Sequence, residues 1–204
     1  MQAILFATTN QNKVREVEKA LADAHLPLKI LTRNDLTNPP AVAETGKTFT
    51  ENAALKAHAL ANFSHLPTLA DDSGLMVPAL NGEPGVHSAR YASDHDDAAN
   101  NRKLLLKMTN LTGQQRRAVF KTVMVLSWPG NFERDLVVSG EAHGEILTQL
   151  RGPQTFGYDP LFYVPSQGLT FAEMSTKQKN SLSHRGRAVK ALIKELPTWL
   201  GQFN

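Results

Sequence analysis

The sequence predicts an α/β protein with a mixed central sheet flanked by helices and with two lobes. At its amino end an apolar strand pattern leads directly into a helical pattern, which is typical of α/β folds. In the middle, two β-rich runs are joined by a short turn, which predicts an antiparallel hairpin. With 204 residues, 41% of them hydrophobic, the chain can bury a sizeable core. We therefore expect one domain spanning residues 1–204, with a site in the cleft between its lobes.

The first two elements are a strand over residues 2–7 and a helix over residues 12–24. The strand is apolar. The helix carries Val14, Val17 and Leu21 at spacings of three and four, which places them on one face.

The next helix is predicted from Thr48 to residue 63. Thr48 and Glu51 have the spacing of a capping box, and the segment that follows is rich in alanine, a strong helix former. Asn52 and Lys56 share a face with two phenylalanines, which is an unusual mixture for a purely structural surface.

A buried strand is predicted over residues 68–70, ending in a turn at residues 71–74. The turn contains Asp71 and Asp72, followed by Ser73 and Gly74. Carboxylates at the carboxyl end of a strand open onto the crevice where α/β folds bind ligands, and they suit Mg²⁺ or the deprotonation of water. The alternative is an Asx turn that caps the next segment.

The remaining elements are a helix, a hairpin and a final helix. Residues 93–97 read as a helix start capped by Ser93 or Asp94, rather than as a cluster of metal ligands. The predicted bounds are residues 96–108 for the helix, 117–128 and 132–139 for the hairpin strands, and 183–196 for the last helix.

The composition excludes several classes of function. The absence of cysteine excludes disulfides, thiolate zinc sites and cysteine nucleophiles. The net charge is +3 and the basic residues are scattered, so we expect no nucleic-acid partner. No apolar stretch approaches the ~18 residues of a membrane span, and the amino end does not resemble a signal peptide. We therefore expect a cytoplasmic protein without a membrane partner.

The junction between the first strand and helix is a candidate phosphate site. Helix starts present unpaired N–H groups and the positive end of the helix dipole. The alternative is an ordinary helix cap with a solvated lysine. The segment around Lys47 is no Walker A loop, because position 41 is Ala instead of Gly. The junction residues are Thr8, Thr9, Asn10, Gln11, Asn12 and Lys13.

Two further segments have features of a ligand site. Phe156 and Tyr158 lie among turn-forming residues, where they would stack on a base or fill the core. His184 and Arg185 begin the last helix, where positive charge is unfavourable, which favours a role facing a ligand.

Six segments in order resemble the inosine triphosphate pyrophosphatase family over nearly the whole chain. The departures are Thr9, where relatives commonly have Gly, and Ala43, where many have another acid, so the number of metal ions stays open. The matching segments are residues 7–13, 44–57, 70–75, 84–91, 156–162 and 183–186.

The resemblance implies an Mg²⁺-dependent enzyme that cleaves ITP, dITP and XTP between the α and β phosphates, removing deaminated purines from the nucleotide pool. Asp72 would accept a proton and bind the metal, with Glu44 as a second ligand. Lys13 and Lys56 would hold the phosphates, with residues 8–12 and Ser73 lining the same pocket.

The resemblance also implies how the base is recognised. Phe156 would stack on the purine, with Gly157, Tyr158 and Asp159 beside it, while Lys179, His184 and Arg185 would approach the 6-oxo group. A homodimer is implied as well.

Two alternatives remain at this point. A non-catalytic nucleotide-binding module has no need of Asp72 together with Glu44. A septum-inhibitor-type pyrophosphatase, acting on other modified nucleotides, is disfavoured by the segments at residues 156–159 and 183–185.

Overall fold

The computed structural model describes residues 3–153 and 156–203. These residues contain seven β-strands and five α-helices. In chain order the elements are β1 (Ala3–Phe6), α1 (Gln11–Asp23), β2 (Lys29–Thr32), α2 (Phe49–Ser64), β3 (Thr68–Met76), α3 (Asp97–Lys107), β4 (Arg117–Trp128), β5 (Asn131–Ile146), β6 (Phe162–Val164), β7 (Leu169–Thr170), α4 (Thr176–Leu182) and α5 (His184–Leu200).

The strands form one mixed sheet in the order β2-β1-β3-β4-β5-β6-β7. β1 is parallel to both β2 and β3, and β6 is antiparallel to both β5 and β7. The parallel part is typical of strand–helix alternation, and in the antiparallel part β6 and β7 are joined by the short turn at residues 165–168. The predicted mixed α/β fold is therefore confirmed.

The chain divides into two compact units. The first unit comprises residues 1–72, 122–140 and 185–204, and the second comprises residues 73–121 and 141–184. The core of the first unit is built by α1, α5 and the apolar residues of β1, with Phe6, Leu21 and Leu192 buried. The core of the second is aromatic, with Phe120, Phe162 and Phe171 packed together.

The predicted turn at residues 71–74 is wrong, because β3 continues through it to Met76. Both carboxylates of this segment are buried, yet each has a partner from a distant part of the chain. Buried polar groups with such partners are compatible with a strand. The Asx-turn alternative fails for the same reason.

Strand β4 has the predicted bounds, whereas β5 is longer than predicted. Its extension is paired with β6, in register Glu145 opposite Tyr163. Gly144 permits this pairing, since a Cβ there would lie 2.5 Å from the carbonyl oxygen of Tyr163. Glycine at this position is thus required by a close approach of two backbones.

Two helix ends also differ from the prediction. The cap of α3 is Asp96, whose Oδ1 accepts from the N–H of Ala99 at 2.8 Å, rather than Ser93 or Asp94. Helix α5 continues past Pro197 to Leu200 because its last turn is held by buried Trp199, which donates from Nε1 to the Arg134 carbonyl at 2.6 Å.

The first strand and the first two long helices lie within one residue of their predicted bounds, while Gln2 lies outside the described residues. Strands β2, β6 and β7 and helix α4 were not predicted. Within the described ranges, no helix combines the length and apolar character that crossing a membrane requires.

Candidate active site

The predicted phosphate loop is a capped helix start. The Asn10 side chain accepts from the N–H groups of Asn12 and Lys13 at 3.0 and 3.4 Å, and the Asn10 N–H donates to Thr8 Oγ1 at 3.1 Å. The helix-cap interpretation is thus confirmed for Asn10. The side chains of Thr9, Gln11 and Asn12 are exposed, so the loop also presents polar groups to solvent. Phosphate binding at this loop stays a prediction.

Lys13 forms an ion pair with Asp71. Its Nζ lies 2.7 Å from Oδ2 and 3.0 Å from Oδ1, and the Asp71 side chain is only 2% exposed. Burial alone raises the pKa of the Asp71 carboxyl. The ammonium of Lys13 lowers it, helped by the charges of Lys56 and Arg185, so that the pKa lies below its ordinary value. Three cations thus act on one buried carboxylate.

One face of α2 holds both of the predicted metal ligands. Asn52 donates from Nδ2 to Asp72 Oδ2 at 3.0 Å, and Lys56 Nζ lies 2.8 Å from Glu44 Oε1. Because Asn52 and Lys56 are four residues apart, they lie one helical turn apart on the same side. The two carboxylates are therefore fixed by adjacent turns of one helix.

The loop that carries Glu44 is tied to the same asparagine. The Gly46 N–H donates to Asn52 Oδ1 at 2.8 Å. A Cβ on Gly46 would lie 2.7 Å from that oxygen and 2.6 Å from the Glu51 Cβ, so this position requires glycine. Asn52, which is fully buried, connects the loop with the strand that bears Asp72.

These residues suit a magnesium ion that is shared with phosphates. In the described parts of the chain, no three or more acidic or histidine side chains form a cluster that could hold a metal alone. Mg²⁺ is commonly bound by one or two carboxylates together with substrate phosphates. Asp72 and Glu44 supply that number of hard oxygen ligands.

Two other predicted site residues are Arg185 and Ser73. Arg185, in the first turn of α5, pairs with Glu16 of α1 at 3.1 Å, a contact within the first unit. Ser73 is half-buried and follows Asp72 directly in β3, but it belongs to the second unit.

The predicted base loop, residues 156–159, lies in the second unit. Phe156 is 61% exposed, so the core-filling alternative is wrong for this ring. It is right for Tyr158, which is buried and donates from its hydroxyl to the Ser88 carbonyl at 2.9 Å. Burial raises the pKa of the Tyr158 hydroxyl, which keeps it a neutral donor.

Three further predicted base-site residues, Asp159, Lys179 and His184, lie in this unit, and of these Asp159 and His184 are buried. Asp159 forms an ion pair with Lys179, on α4. The His184 ring stacks on Phe120, with centroids 4.8 Å apart and planes 12° apart. Each of these polar side chains is therefore fixed in position.

Helix α3 contacts the base loop at Gly157. The Asp97 carboxylate accepts from the Gly157 N–H at 2.7 Å, and Asn101 Nδ2 donates to the Gly157 carbonyl at 2.8 Å. A cavity of about 360 Å³ lies beside this contact, lined by Asp97, Asn101 and Phe156 among others.

Asn52, Asp97 and Asn101 were not predicted as site residues. The signal for Asn52 was the polar character of its helix face. Asp97 was assigned to a helix start, and no pattern in the sequence indicated that it contacts a loop 60 residues away.

Comparison with solved structures confirms the α/β class. A HAM1 protein from Coxiella burnetii has a TM-score of 0.91 and 40% identity, covering 97% of this chain and 100% of that one. The Ham1 protein of Staphylococcus aureus has a TM-score of 0.87 and 41% identity, covering 97% and 99%.

Comparison with known sequences gives the same family, at higher identity. The model of the Ham1 family matches residues 4–195, and the chain belongs to this family. A relative from Lactobacillus johnsonii named dITP/XTP pyrophosphatase is 58% identical over 98% of this chain and 97% of its own length. One from Geobacter sulfurreducens with the same name is 46% identical over 98% and 99%.

Proposed function

We propose that this protein hydrolyses ITP, dITP and XTP to the nucleoside monophosphate and pyrophosphate. The observation that carries the proposal is the shared face of α2, where Asn52 orients Asp72 and Lys56 pairs with Glu44. A protein that only bound nucleotides would not need two carboxylates beside phosphate-binding lysines. The names of the relatives at 58% and 46% identity support the same reaction.

The reaction requires a base and charge neutralisation. The hydrogen bond from Asn52 orients the Asp72 carboxylate, which would take a proton from the attacking water. That water then attacks the α–β anhydride, and pyrophosphate leaves. Mg²⁺ held by Asp72 and Glu44 would offset phosphate charge when bound. Lys13 and Lys56 would supply further positive charge to the phosphates.

The base would be recognised through its 6-oxo group. Phe156 is exposed and available to stack on a purine. Lys179, His184 and Arg185 are donors for the oxo acceptor. Adenine presents a 6-amino donor instead, so a site built from donors would leave buried groups unpaired and reject ATP. The Tyr158 side chain is buried in the core, so Tyr158 would contact the base through its backbone.

We also propose that the chain functions as one domain over residues 1–204, as a cytoplasmic homodimer that removes deaminated purines from the nucleotide pool. The resemblance to inosine triphosphate pyrophosphatases supports these points.

The test is product identity. The purified protein is incubated with Mg²⁺ and, separately, with ITP, dITP, XTP, GTP and ATP, and nucleotides and pyrophosphate are measured. We expect monophosphate and pyrophosphate in equal amounts from the first three and little turnover of the last two. Diphosphate with free phosphate would contradict the assigned bond, and no turnover would favour the binding module.

A further inference from the structure

Two side chains of α3 hold both polar groups of a single peptide position, Gly157. Asp97 accepts from its N–H at 2.7 Å, and Asn101 donates to its carbonyl at 2.8 Å. Asp97 and Asn101 are four residues apart and therefore on the same side of the helix. Both lie in the second unit, as does the loop they hold.

The donor and the acceptor of each of these two hydrogen bonds follow from the chemistry of the groups. The Gly157 carbonyl can only accept, so Asn101 presents its amide nitrogen to it. The Gly157 N–H can only donate, and a carboxylate is a strong acceptor for it. Asn101 is buried, with 5% of the residue exposed, so its hydrogen bond is stronger than the same bond at the surface.

Gly157 needs this support because of its conformation. Its φ is +53°, in the left-handed region, although a Cβ there would meet nothing within 4 Å. Glycine is thus required by the backbone angle and not by lack of room. Glycine is also the residue with the most conformations to lose, so external hydrogen bonds are an effective way to hold it.

The residues on either side of Gly157 are held to different degrees. Tyr158 and Asp159 are anchored by their own partners, Ser88 and Lys179, on the carboxyl side. Phe156, on the other side, is 61% exposed, and its backbone carbonyl accepts from the Asp159 N–H at 3.2 Å. Because it is little buried, the Phe156 ring depends for its position on the backbone of this loop, which Asp97 and Asn101 hold at Gly157.

We propose that Asp97 and Asn101 are positioning residues for the base-stacking ring of Phe156. Without them the loop samples other conformations, and the ring is in place for a purine only part of the time. The apparent affinity for a base then falls in proportion to that fraction. This proposal rests on the proposed function, because it assigns the ring to the base of the nucleotide.

Helix α3 offers matched variants. Asp97→Ala removes the acceptor for the Gly157 N–H. Asp97→Asn retains an acceptor oxygen and should therefore retain most of the wild-type affinity for ITP. Asp96→Ala removes the helix cap one residue earlier, which costs helix stability without touching Gly157. Asn101→Ala removes the buried donor, and its thermal unfolding midpoint is measured alongside.

The experiment measures KM and kcat for ITP and the inhibition constant of tripolyphosphate, which has no base. Loss of one hydrogen bond predicts that Asp97→Ala raises KM about three- to tenfold. The kcat should change little, because the lost interaction is the same in the ground and transition states. The inhibition constant of tripolyphosphate should not change. Asp97→Asn and Asp96→Ala should have a KM close to that of the wild type.

Each other outcome overturns the proposal in a distinguishable way. An unchanged KM in both Asp97→Ala and Asn101→Ala overturns the positioning role while leaving the proposed function intact. An equal rise in the inhibition constant of tripolyphosphate, or an equal effect of Asp96→Ala, shows a general loss of structure instead. A wild-type protein that does not hydrolyse ITP overturns the proposed function and this proposal together.

Discussion

Replacing Lys13 with methionine would leave the Asp71 carboxylate buried without its nearest cation. Methionine keeps a long unbranched side chain, so most packing of the stem is retained. The Asp71 side chain is 2% exposed and lies 2.7 Å from the ammonium. Removing one partner of a buried pair costs about 3–5 kcal/mol, because the remaining charge is uncompensated.

The lower end of that range applies here, since Lys56 and Arg185 still lower the pKa of Asp71. We therefore expect a loss of about 3 kcal/mol in the free energy of unfolding, measured by urea denaturation at pH 7. At roughly 2–4 °C per kcal/mol for a protein of this size, the unfolding midpoint should fall by about 6–12 °C.

The loss should also depend on pH. Because the folded-state pKa of Asp71 is depressed, the pair stabilises the fold above the ordinary carboxyl pKa of 3.8 and loses this effect as pH falls through the folded-state pKa. The difference in unfolding free energy between the wild type and Lys13→Met should therefore be complete at neutral pH. It should shrink as the pH falls below 3.8 towards the folded-state pKa of Asp71.

Two controls isolate the buried charge. Lys19→Met, on the same helix, removes an exposed pair with Asp23, whose side chains are 76% and 65% exposed, and should cost about 0.5 kcal/mol or less. The double variant Lys13→Met/Asp71→Asn removes the charge and should be more stable than Lys13→Met alone. A loss in Lys13→Met no larger than that in Lys19→Met, or no recovery of stability in the double variant, would show that the buried Asp71 charge is not the cause.

Two further predictions concern the proposed reaction. Asp72→Asn should lower kcat for ITP by about 10²–10⁴-fold with little change in nucleotide affinity, because the amide can still accept from Asn52 but cannot take a proton. A kcat equal to that of the wild type in initial-velocity assays would contradict the assignment of Asp72 as the base. Phe156→Ala should leave the unfolding midpoint unchanged, since this residue is 61% exposed, but should weaken the binding of IMP by about 1–3 kcal/mol in calorimetry. An unaltered affinity for IMP would exclude stacking of the base on this ring.

The sequence predicted those elements whose signals are local. The bounds of β4 follow from its run of β-rich residues, and the start of α2 from the capping box at Thr48, which the structure contains. The continuation of β3 was missed because it depends on partners 58 and 20 residues away in sequence, Lys13 and Asn52. Local patterns favour a turn at consecutive aspartates unless such partners are known.

In the candidate site, too, only some residues carry a signal in the sequence. Asp72, Glu44, Lys13 and Lys56 were predicted from ligand chemistry and resemblance, and their contacts could be described only from the structure. The role of Asn52 in connecting them, like that of Asp97 at the base loop, arises from tertiary contacts that leave no motif.

The ion pairs of the predicted phosphate- and base-binding lysines have a consequence for the entropy of binding. Lys13, Lys56 and Lys179 each pair with a carboxylate, Asp71, Glu44 and Asp159 respectively, and their side chains are 23%, 16% and 23% exposed. A free lysine side chain loses up to about 2 kcal/mol of rotamer entropy when it is immobilised. Folding has already imposed this loss on all three, and an ammonium with three donors can engage a ligand oxygen without leaving its carboxylate. If these lysines bind the nucleotide as proposed, their ordering cost is not charged to binding, and the affinity for the nucleotide is higher than it would be with free lysine side chains.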